Sequence, residues 1–242
     1  MEPGRTGCLP PVQFPAVTSS TPRFSAVFFD CDGVLVDSEP ITNGVLRAML
    51  IDLGWDISER ESIALFVGRS LRDEWEVIHR HTGFRIDEAW LADFRSRRNA
   101  ALRAGLLPIP GAKEAVQAVA TLMGDRFACV TGADRSKVEM QLTIAGLNEL
   151  FGVRVFSGME VPRTKPFPDV YLAAAEALSV DPATAVVIED SVAGVTAGVA
   201  AGATVFGFAP ASPTNAAPED LRAAGASLVF THMSQLPGLL LA

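Results

Sequence analysis

Seven residues of this chain have the types and the placement needed to handle a phosphoryl group. They form four groups, each of which follows a short apolar run: Asp30 and Asp32, Thr131 and Gly132, Lys165, and Glu189 and Asp190. Carboxylates held close together repel one another and need a hard divalent cation, and Mg²⁺ prefers oxygen ligands of this kind. The combination therefore predicts a magnesium-dependent site that transfers phosphoryl groups.

The acids would divide the chemistry between them. Asp30 would attack phosphorus as a nucleophile and, together with Asp190, would bind the cation through its side chain. Asp32 would offer the cation its backbone carbonyl, which leaves its side chain free to protonate the leaving oxygen and later to activate water. An aspartate pair after a strand is a weak signal alone, because turns also favour aspartate, so the prediction depends on the other groups.

Three residues are suited to holding the phosphoryl group. The Thr131 hydroxyl and the Lys165 ammonium can orient this group and offset its charge for in-line attack. Backbone N–H groups around Gly132 and at the start of the following helix can bind further phosphate oxygens. Taken alone, Lys165 would be an ordinary surface charge, and Glu189 with Asp190 would be an ordinary helix cap.

A parallel sheet would bring the four groups to one edge. The apolar runs lack polar alternation, as expected of strands that are buried on both faces. The predicted strands cover residues 24–29, 127–130, 153–156, 185–188, 204–208 and, more faintly, 227–230. Strands that alternate with helices predict an α/β fold with a Rossmann-like, doubly wound parallel sheet, in which ligands bind at the carboxyl ends of the strands.

Amphipathic patterns predict the helices between these strands. They cover residues 112–123, 136–145 and 166–178. We expect Lys165, followed by Pro166, to open the helix after the third strand, and Asp190 with Ser191 to open another.

Residues 39–106 have a different pattern, in which helical signatures dominate and no buried-strand run occurs. Residues 106–111 then break the pattern as a linker would. We therefore expect a helical cap at residues 39–106, inserted into a catalytic core formed by residues 23–38 and 107–242. Residues 1–22 are rich in Pro, Ser and Thr and are expected to form a flexible leader.

Several cap residues have expected positions. Gly68, Arg69 and Ser70 are candidates to face the substrate, and Arg69 could bind a carboxylate or hydroxyl of the leaving group. Trp55, Trp75 and Trp90 are expected in the core of the cap. His79 and His81 are expected at its surface, and their spacing does not suit a zinc site.

The composition excludes several functional classes. Hydrophobic residues make up 49% of the 242 residues, charged residues make up 20%, and the net charge is -8 without any sustained basic run. A nucleic-acid partner is therefore not expected. The chain also lacks the roughly 18 consecutive apolar residues needed to cross a membrane.

Cys8, Cys31 and Cys129 are too widely spaced for a disulfide framework. A cytoplasmic protein with free thiols is expected, as a monomer or weak homodimer acting on a small phosphorylated metabolite.

These residues resemble the motifs of the haloacid dehalogenase superfamily. Residues 30–39, with the sequence DCDGVLVDSE, are similar to its first motif, and Thr131 matches the second. Residues 165–169 and 189–191 resemble the third and fourth. The resemblance implies a Rossmann-like core, a helical cap and Mg²⁺. It also implies that Asp30 is the nucleophile, Asp32 the acid/base, Asp190 a metal ligand and Glu189 a supporting acid.

Residues at which this chain differs from other branches of the superfamily indicate the branch that it most resembles. Dehalogenases lack the second aspartate of the first motif, which is present here as Asp32. β-Phosphoglucomutases have a cap histidine where this chain has Thr42, and an arginine where it has Leu71. Phosphonoacetaldehyde hydrolases use a cap lysine, and residues 37–106 contain none. The chain most resembles bacterial sugar-phosphate phosphatases, with the 6-phosphogluconate phosphatase type nearest.

The leading hypothesis is a phosphatase that forms an aspartyl-phosphate on Asp30. Two alternatives stay open at this point: a phosphomutase that acts on hexose phosphates, and a non-catalytic ligand-binding relative that keeps the fold.

Overall fold

A computed structural model describes residues 22–67, 71, 74–212 and 214–241. Six strands form one sheet in which every neighbouring pair is parallel. The strands are Ala26–Phe29 (β1), Phe127–Thr131 (β2), Val155–Ser157 (β3), Ala185–Glu189 (β4), Thr204–Phe208 (β5) and Leu228–Phe230 (β6). Their order across the sheet is β3-β2-β1-β4-β5-β6. This arrangement confirms the predicted doubly wound α/β fold.

Helices cover both faces of the sheet, and for this reason most strand residues are apolar and the polar ones lie at strand ends. The helices are Glu39–Asp52 (α1), Glu59–Phe66 (α2), Trp75–Thr82 (α3), Glu88–Gly105 (α4), Ala112–Met123 (α5), Arg135–Ile144 (α6), Asn148–Phe151 (α7), Asp169–Ala177 (α8), Val192–Ala200 (α9), Pro218–Ala223 (α10) and Leu236–Leu239 (α11). One apolar cluster joins Phe29 of β1 to Val116 of α5 and Val138 of α6. A second cluster joins Phe28 to Val170 of α8 and Val195 of α9. In the part of the chain that is described, no helix is both long and apolar enough to cross a bilayer.

Helices α1–α4, which lie between β1 and α5, have an apolar cluster of their own. Leu46 and Leu50 of α1 pack there with Ile78 of α3 and Phe94 of α4. Trp55 and Trp90 pack against this cluster as expected. Trp75, the third tryptophan, was expected in this cluster but does not belong to it. The Arg85 guanidinium lies over its ring, with Cζ 4.9 Å from the ring centroid. Both predicted surface histidines are exposed.

The segment that enters this group of helices and the segment that leaves it run side by side and are hydrogen-bonded to each other. Val36 forms an antiparallel bridge with Pro108. The N–H of Asp37 donates to the carbonyl of Leu107 at 3.0 Å, and the N–H of Ile109 donates to the carbonyl of Leu35 at 3.0 Å. These bonds tie the two ends of the helical segment together, close to the loop that follows β1.

Candidate active site

The site begins where β1 ends. The backbone N–H of Asp30 donates to the carbonyl of Ile188 in β4 at 3.0 Å, which extends the sheet by one residue and fixes the direction of the side chain. Asp30 is 7% exposed, as is Asp190, which follows β4 directly. Carboxylate oxygens of Asp30, Glu189 and Asp190 all lie within 4.8 Å of one another. The structure therefore brings together the acids that the sequence placed at separate strand ends.

Lys165 provides the positive charge in this cluster. Its Nζ atom lies 2.7 Å from Oδ1 of Asp30 and 2.7 Å from Oε1 of Glu189. It also donates to the carbonyl of Val130 at 2.9 Å. Burial lowers the pKa of the Lys165 ammonium, but the charges of Asp30 and Glu189 outweigh this effect and raise the pKa well above its usual value. Lys165 is therefore a fixed cation in direct contact with Asp30.

Lys165 reaches the site from a loop, so the prediction that it opens a helix is wrong. Helix α8 begins at Asp169, and the Lys165–Pro166 peptide bond is cis. The two prolines, Pro166 and Pro168, account for the later start, because a residue that precedes proline is disfavoured in the helical conformation.

Glu189 is engaged by five donors, which occupy both of its oxygens. Oε1 accepts from Lys165 and from the Tyr171 hydroxyl, the latter at 2.9 Å. Oε2 accepts from the N–H groups of Asp190 and Ser191 at 3.0 and 3.1 Å and from the Ser191 hydroxyl at 3.0 Å. A Cβ at Gly194 would lie 1.7 Å from Oε1, so glycine is required for this close approach. These contacts suit a residue that orients Lys165 and the loop that carries Asp190.

The remaining acceptors fit a divalent cation. Oδ2 of Asp30 accepts no hydrogen bond from any residue that the structure describes, and neither does Oδ1 of Asp190. The carbonyl of Asp32 is likewise unused within the described ranges. Oxygen atoms of this kind are the ligands that Mg²⁺ prefers. Gly33, at φ +75°, makes room for Asp190, because a Cβ there would lie 1.9 Å from Oδ2 of that residue.

The protonation behaviour of these acids also favours a cation. Burial raises the pKa of Asp30, and although Lys165 lowers it, repulsion from Glu189 and Asp32 helps to bring it to about 7. Burial, followed by the charges of Glu189 and Asp30, raises the pKa of Asp190 well above its usual value. Two buried carboxyl groups therefore resist ionisation, and a cation between them would relieve the repulsion.

Asp32 occupies a different environment. Lys137 Nζ lies 2.8 Å from both of its carboxylate oxygens. Oδ1 also accepts from Gln141 Nε2 at 2.7 Å and from the Ser38 hydroxyl. Burial raises the pKa of Asp32, but the Lys137 charge and these hydrogen bonds outweigh it and lower the pKa to about 2. Asp32 is therefore ionised here, as a general base must be, and it has to take up a proton before it can act as an acid.

Sequence reasoning missed the partners of Asp32. Lys137 and Gln141 lie one turn apart on α6, and only 6% and 0% of their surfaces are exposed. The available signal was their position on the same stripe as Val138 and Leu142, which are buried. Two polar residues on the buried face of a helix after the second strand indicate a polar partner inside the protein.

The remaining predicted residues fall into two groups. Thr131 ends β2 and is 1% exposed, and its hydroxyl accepts from the N–H of Ala133 at 3.0 Å. Gly132 follows it and approaches the Thr164 hydroxyl, which a Cβ would meet at 3.6 Å. Cap residues 68–70, which include Arg69, lie outside the described residues, as does Cys8. Cys31 and Cys129 are buried free thiols, as expected.

Comparison with known proteins gives consistent matches along most of the chain. The family model described as haloacid dehalogenase-like hydrolase matches residues 24–202. The 6-phosphogluconate phosphatase of Escherichia coli K12 is 32% identical over 220 residues, which is 90% of this chain and 95% of that protein. Hexitol phosphatase B of the same organism is 34% identical over 187 residues, which is 75% of this chain and 82% of that protein.

Solved structures show the same fold. A crystal structure of a HAD family hydrolase from Deinococcus radiodurans R1, with bound phosphate and sodium, has a TM-score of 0.74 and 36% sequence identity to this chain. The match covers 90% of this chain and 98% of the other. The extent of the family match, together with the acids, lysine and threonine at the ends of the strands, shows that this chain belongs to the haloacid dehalogenase-like hydrolase family.

Proposed function

We propose that this protein is a magnesium-dependent phosphatase that hydrolyses a small phosphorylated metabolite through an aspartyl-phosphate on Asp30. The observation that carries the proposal is the arrangement around the Asp30 carboxylate. One oxygen is held by Lys165 at 2.7 Å, while the other accepts no hydrogen bond from the described residues. An oriented carboxylate with one free oxygen, beside a fixed cation, is suited to attack phosphorus.

The first half of the reaction forms the aspartyl-phosphate. Oδ2 of Asp30 attacks phosphorus, the bond from phosphorus to the leaving oxygen breaks, and a proton from Asp32 passes to that oxygen. Lys165 and the Thr131 hydroxyl hold phosphoryl oxygens and offset their charge. The products are the free alcohol and a phosphorylated Asp30.

The second half releases phosphate. Asp32, now a carboxylate, removes a proton from a water molecule, which attacks phosphorus. The bond from phosphorus to the Asp30 oxygen breaks, which restores the carboxylate. Its four contacts with Lys137, Gln141 and Ser38 keep Asp32 ionised and ready for this step.

The side chains of Asp30 and Asp190 and the carbonyl of Asp32 would hold the magnesium ion. The ion, when bound, would neutralise the crowded carboxylates and withdraw charge from the phosphoryl group. Glu189 would act as a supporting acid, because its two oxygens are already engaged by protein donors.

The two bacterial relatives support a sugar or polyol phosphate as substrate, since their names specify 6-phosphogluconate and hexitol phosphates. The proposed cap of residues 39–106 would select the leaving group. In this proposal Arg69, on the cap segment of residues 68–70, would contact a carboxylate or hydroxyl of that group.

The first test is the change Asp30→Asn, which removes the nucleophile and keeps the shape of the side chain. We expect Mg²⁺-dependent phosphate release from a panel of sugar, polyol and aldonate phosphates to fall at least about 10³-fold, because no covalent step remains. Glu59→Gln, on the exposed start of α2, is the matched control and should keep full activity. Full activity in the Asp30 variant would refute the covalent mechanism.

The same panel separates this proposal from its alternatives. A phosphomutase given β-glucose 1-phosphate and a hexose bisphosphate would produce the isomer with little free phosphate. A non-catalytic relative would bind phosphate esters without releasing phosphate from any of them. Thr42, in place of the mutase histidine, favours hydrolysis.

A further inference from the structure

The carboxylate of Asp32 is held by two side chains of α6. Both of its oxygens lie 2.8 Å from Lys137 Nζ, and one also accepts from Gln141 Nε2 at 2.7 Å. Lys137 and Gln141 both belong to α6, whereas Asp32 lies more than 100 positions earlier in the loop after β1. These contacts fix where Asp32 can place its carboxyl group.

The helix that supplies these two donors is itself firmly anchored. The Asp134 side chain caps α6 by accepting from the N–H of Lys137 at 2.9 Å. Val138 and Leu142 lie on the same buried face and are 0% and 1% exposed. Residues three or four positions apart project from one side of a helix, so Lys137 and Gln141 point together toward Asp32. The packing of α6 therefore fixes the backbone positions from which both donors extend.

The burial of Lys137 is unusual for its residue type. Lysine is almost never fully buried unless it is paired, because its ammonium loses hydration and its long side chain loses rotamer freedom. A buried ion pair usually adds little to stability compared with apolar residues of similar volume. Stability alone therefore does not account for a buried lysine and a buried glutamine directed at one carboxylate.

We propose that Lys137 and Gln141 are positioning residues that hold the carboxyl group of Asp32 in line with the leaving oxygen. The proposal rests on the proposed phosphatase function, in which Asp32 transfers the proton. The two donors fix the position of the carboxyl group and do not supply its proton. A misplacement of about 1 Å can slow an enzymatic step roughly 10²-fold.

This role predicts an effect that depends on the leaving group. When the ester bond breaks, phenolate needs a proton much more than p-nitrophenolate does, because p-nitrophenolate is a stable anion. Phenyl phosphate and p-nitrophenyl phosphate have nearly the same shape and should bind similarly. A difference between their rates therefore reports how strongly the leaving oxygen needs a proton. The value of kcat/KM includes the steps through phosphoryl transfer to Asp30 and isolates this effect from later hydrolysis.

The experiment compares kcat/KM for the two esters in the wild-type protein, Lys137→Met and Gln141→Leu, all with Mg²⁺. We expect phenyl phosphate to be hydrolysed at least about tenfold more slowly by both variants, and p-nitrophenyl phosphate to be slowed less than about threefold. Activity on p-nitrophenyl phosphate shows in the same sample that the variant is folded. Lys137→Arg, which keeps a charged donor, should recover part of the lost rate.

Each other outcome overturns the proposal. Equal losses with both esters would show that the two residues only support the fold. If only Lys137→Met lowers kcat/KM for phenyl phosphate, the effect comes from the lost charge, since Gln141→Leu removes a donor without altering charge. Faster hydrolysis of phenyl phosphate would show that the donors restrain Asp32.

Asp32→Asn separates the failure of this inference from that of the proposed function. It should lose phenyl phosphate activity selectively and more strongly than either α6 variant. If Asp32→Asn has no selective effect, the acid role of Asp32 fails. If it does and the α6 variants do not, only the positioning role fails.

Discussion

At the scale of single residues, the charged residues that the structure brings together could be predicted from the sequence more readily than the side chains that contact them. Asp30 and Asp190 could be predicted because charged residues directly after buried apolar runs contribute little to packing and are suited to chemistry at a strand end. Lys165 was expected at the same edge, but the structure places it in the loop between β3 and α8. Lys137 and Gln141 were missed because lysine and glutamine are ordinary on helices. Their place on the buried stripe with Val138 and Leu142 indicates a polar partner but does not show which loop provides it. When a sequence predicts a buried carboxylate, we therefore expect hydrogen-bond donors to it that the sequence itself does not identify.

The Asp32 contacts give a prediction about stability and pH. The pKa of Asp32 is lowered from 3.8 to about 2 in the folded protein. An acid of this kind stabilises the fold above its unfolded pKa, and that contribution is lost as the pH falls through the folded pKa. The shift corresponds to about 2 kcal/mol at neutral pH, of which about half is lost at pH 3.

Urea unfolding of Asp32→Asn in EDTA tests this prediction. At pH 7 we expect the free energy of unfolding to be at least about 2 kcal/mol lower than that of the wild type, because the variant also leaves Lys137 buried without its charged partner. At pH 3 the difference should narrow by about 1 kcal/mol. Asp56→Asn, at an exposed position, is the control. A difference that stays the same at both pH values contradicts the assignment.

At the scale of secondary structure, strands were more predictable than the starts of helices. All six strands were predicted because runs buried on both faces have no polar alternation. The third strand begins at Val155 and not at Val153, which is 93% exposed. Helix α8 begins later than predicted, at Asp169, because proline constrains the residues before it. Boundaries depend on local backbone restraints that an apolar pattern does not record.

The start of α9 gives a prediction at this scale. Gly194→Ala would place a Cβ 1.7 Å from the Glu189 carboxylate, which is already fixed by five hydrogen bonds. We expect the free energy of unfolding to fall by about 1–3 kcal/mol, as overpacking usually costs. Phosphatase activity should fall as well, because Glu189 also holds Lys165.

Gly44→Ala is the matched control for that change. Gly44 is an exposed residue within α1 that has open space where a Cβ would be placed. Alanine there should raise the free energy of unfolding by about 0.5–1 kcal/mol, because it restricts the unfolded chain. Urea unfolding of both variants provides the measurement. If Gly194→Ala is as stable as Gly44→Ala, the contact with Glu189 does not constrain the site.

At the scale of the whole molecule, the fold concentrates negative charge at one edge of the sheet. β1 and β4 are neighbours, so the aspartates that follow them, Asp30 and Asp190, must lie side by side. The sequence predicted this because parallel strands in one sheet end at one edge. The way in which the helices at residues 39–105 pack together depends on side-chain contacts that no pattern showed. Repulsion between these carboxylates lowers the free energy of unfolding of the protein.

Magnesium should therefore stabilise the protein in a pH-dependent way. The pKa of Asp30 is raised from 3.8 to about 7, and that of Asp190 is also raised. An acid with a raised folded pKa holds its proton more tightly when folded, so metal-free stability falls as the pH rises from about 4 toward 7 and above. Magnesium competes with these protons, so it should bind more tightly at pH 8 than at pH 6.

Thermal unfolding at the two pH values measures this effect. In EDTA, we expect the Tm to be lower at pH 8 than at pH 6, and added Mg²⁺ to raise the Tm more at pH 8. A ligand at 100 times its Kd stabilises the folded state by about 2.7 kcal/mol. Asp190→Asn should remove most of the Mg²⁺ effect at both pH values, because it takes away a carboxylate ligand. An equal Mg²⁺ shift at pH 6 and pH 8, or one that persists in Asp190→Asn, would place the cation elsewhere in the molecule.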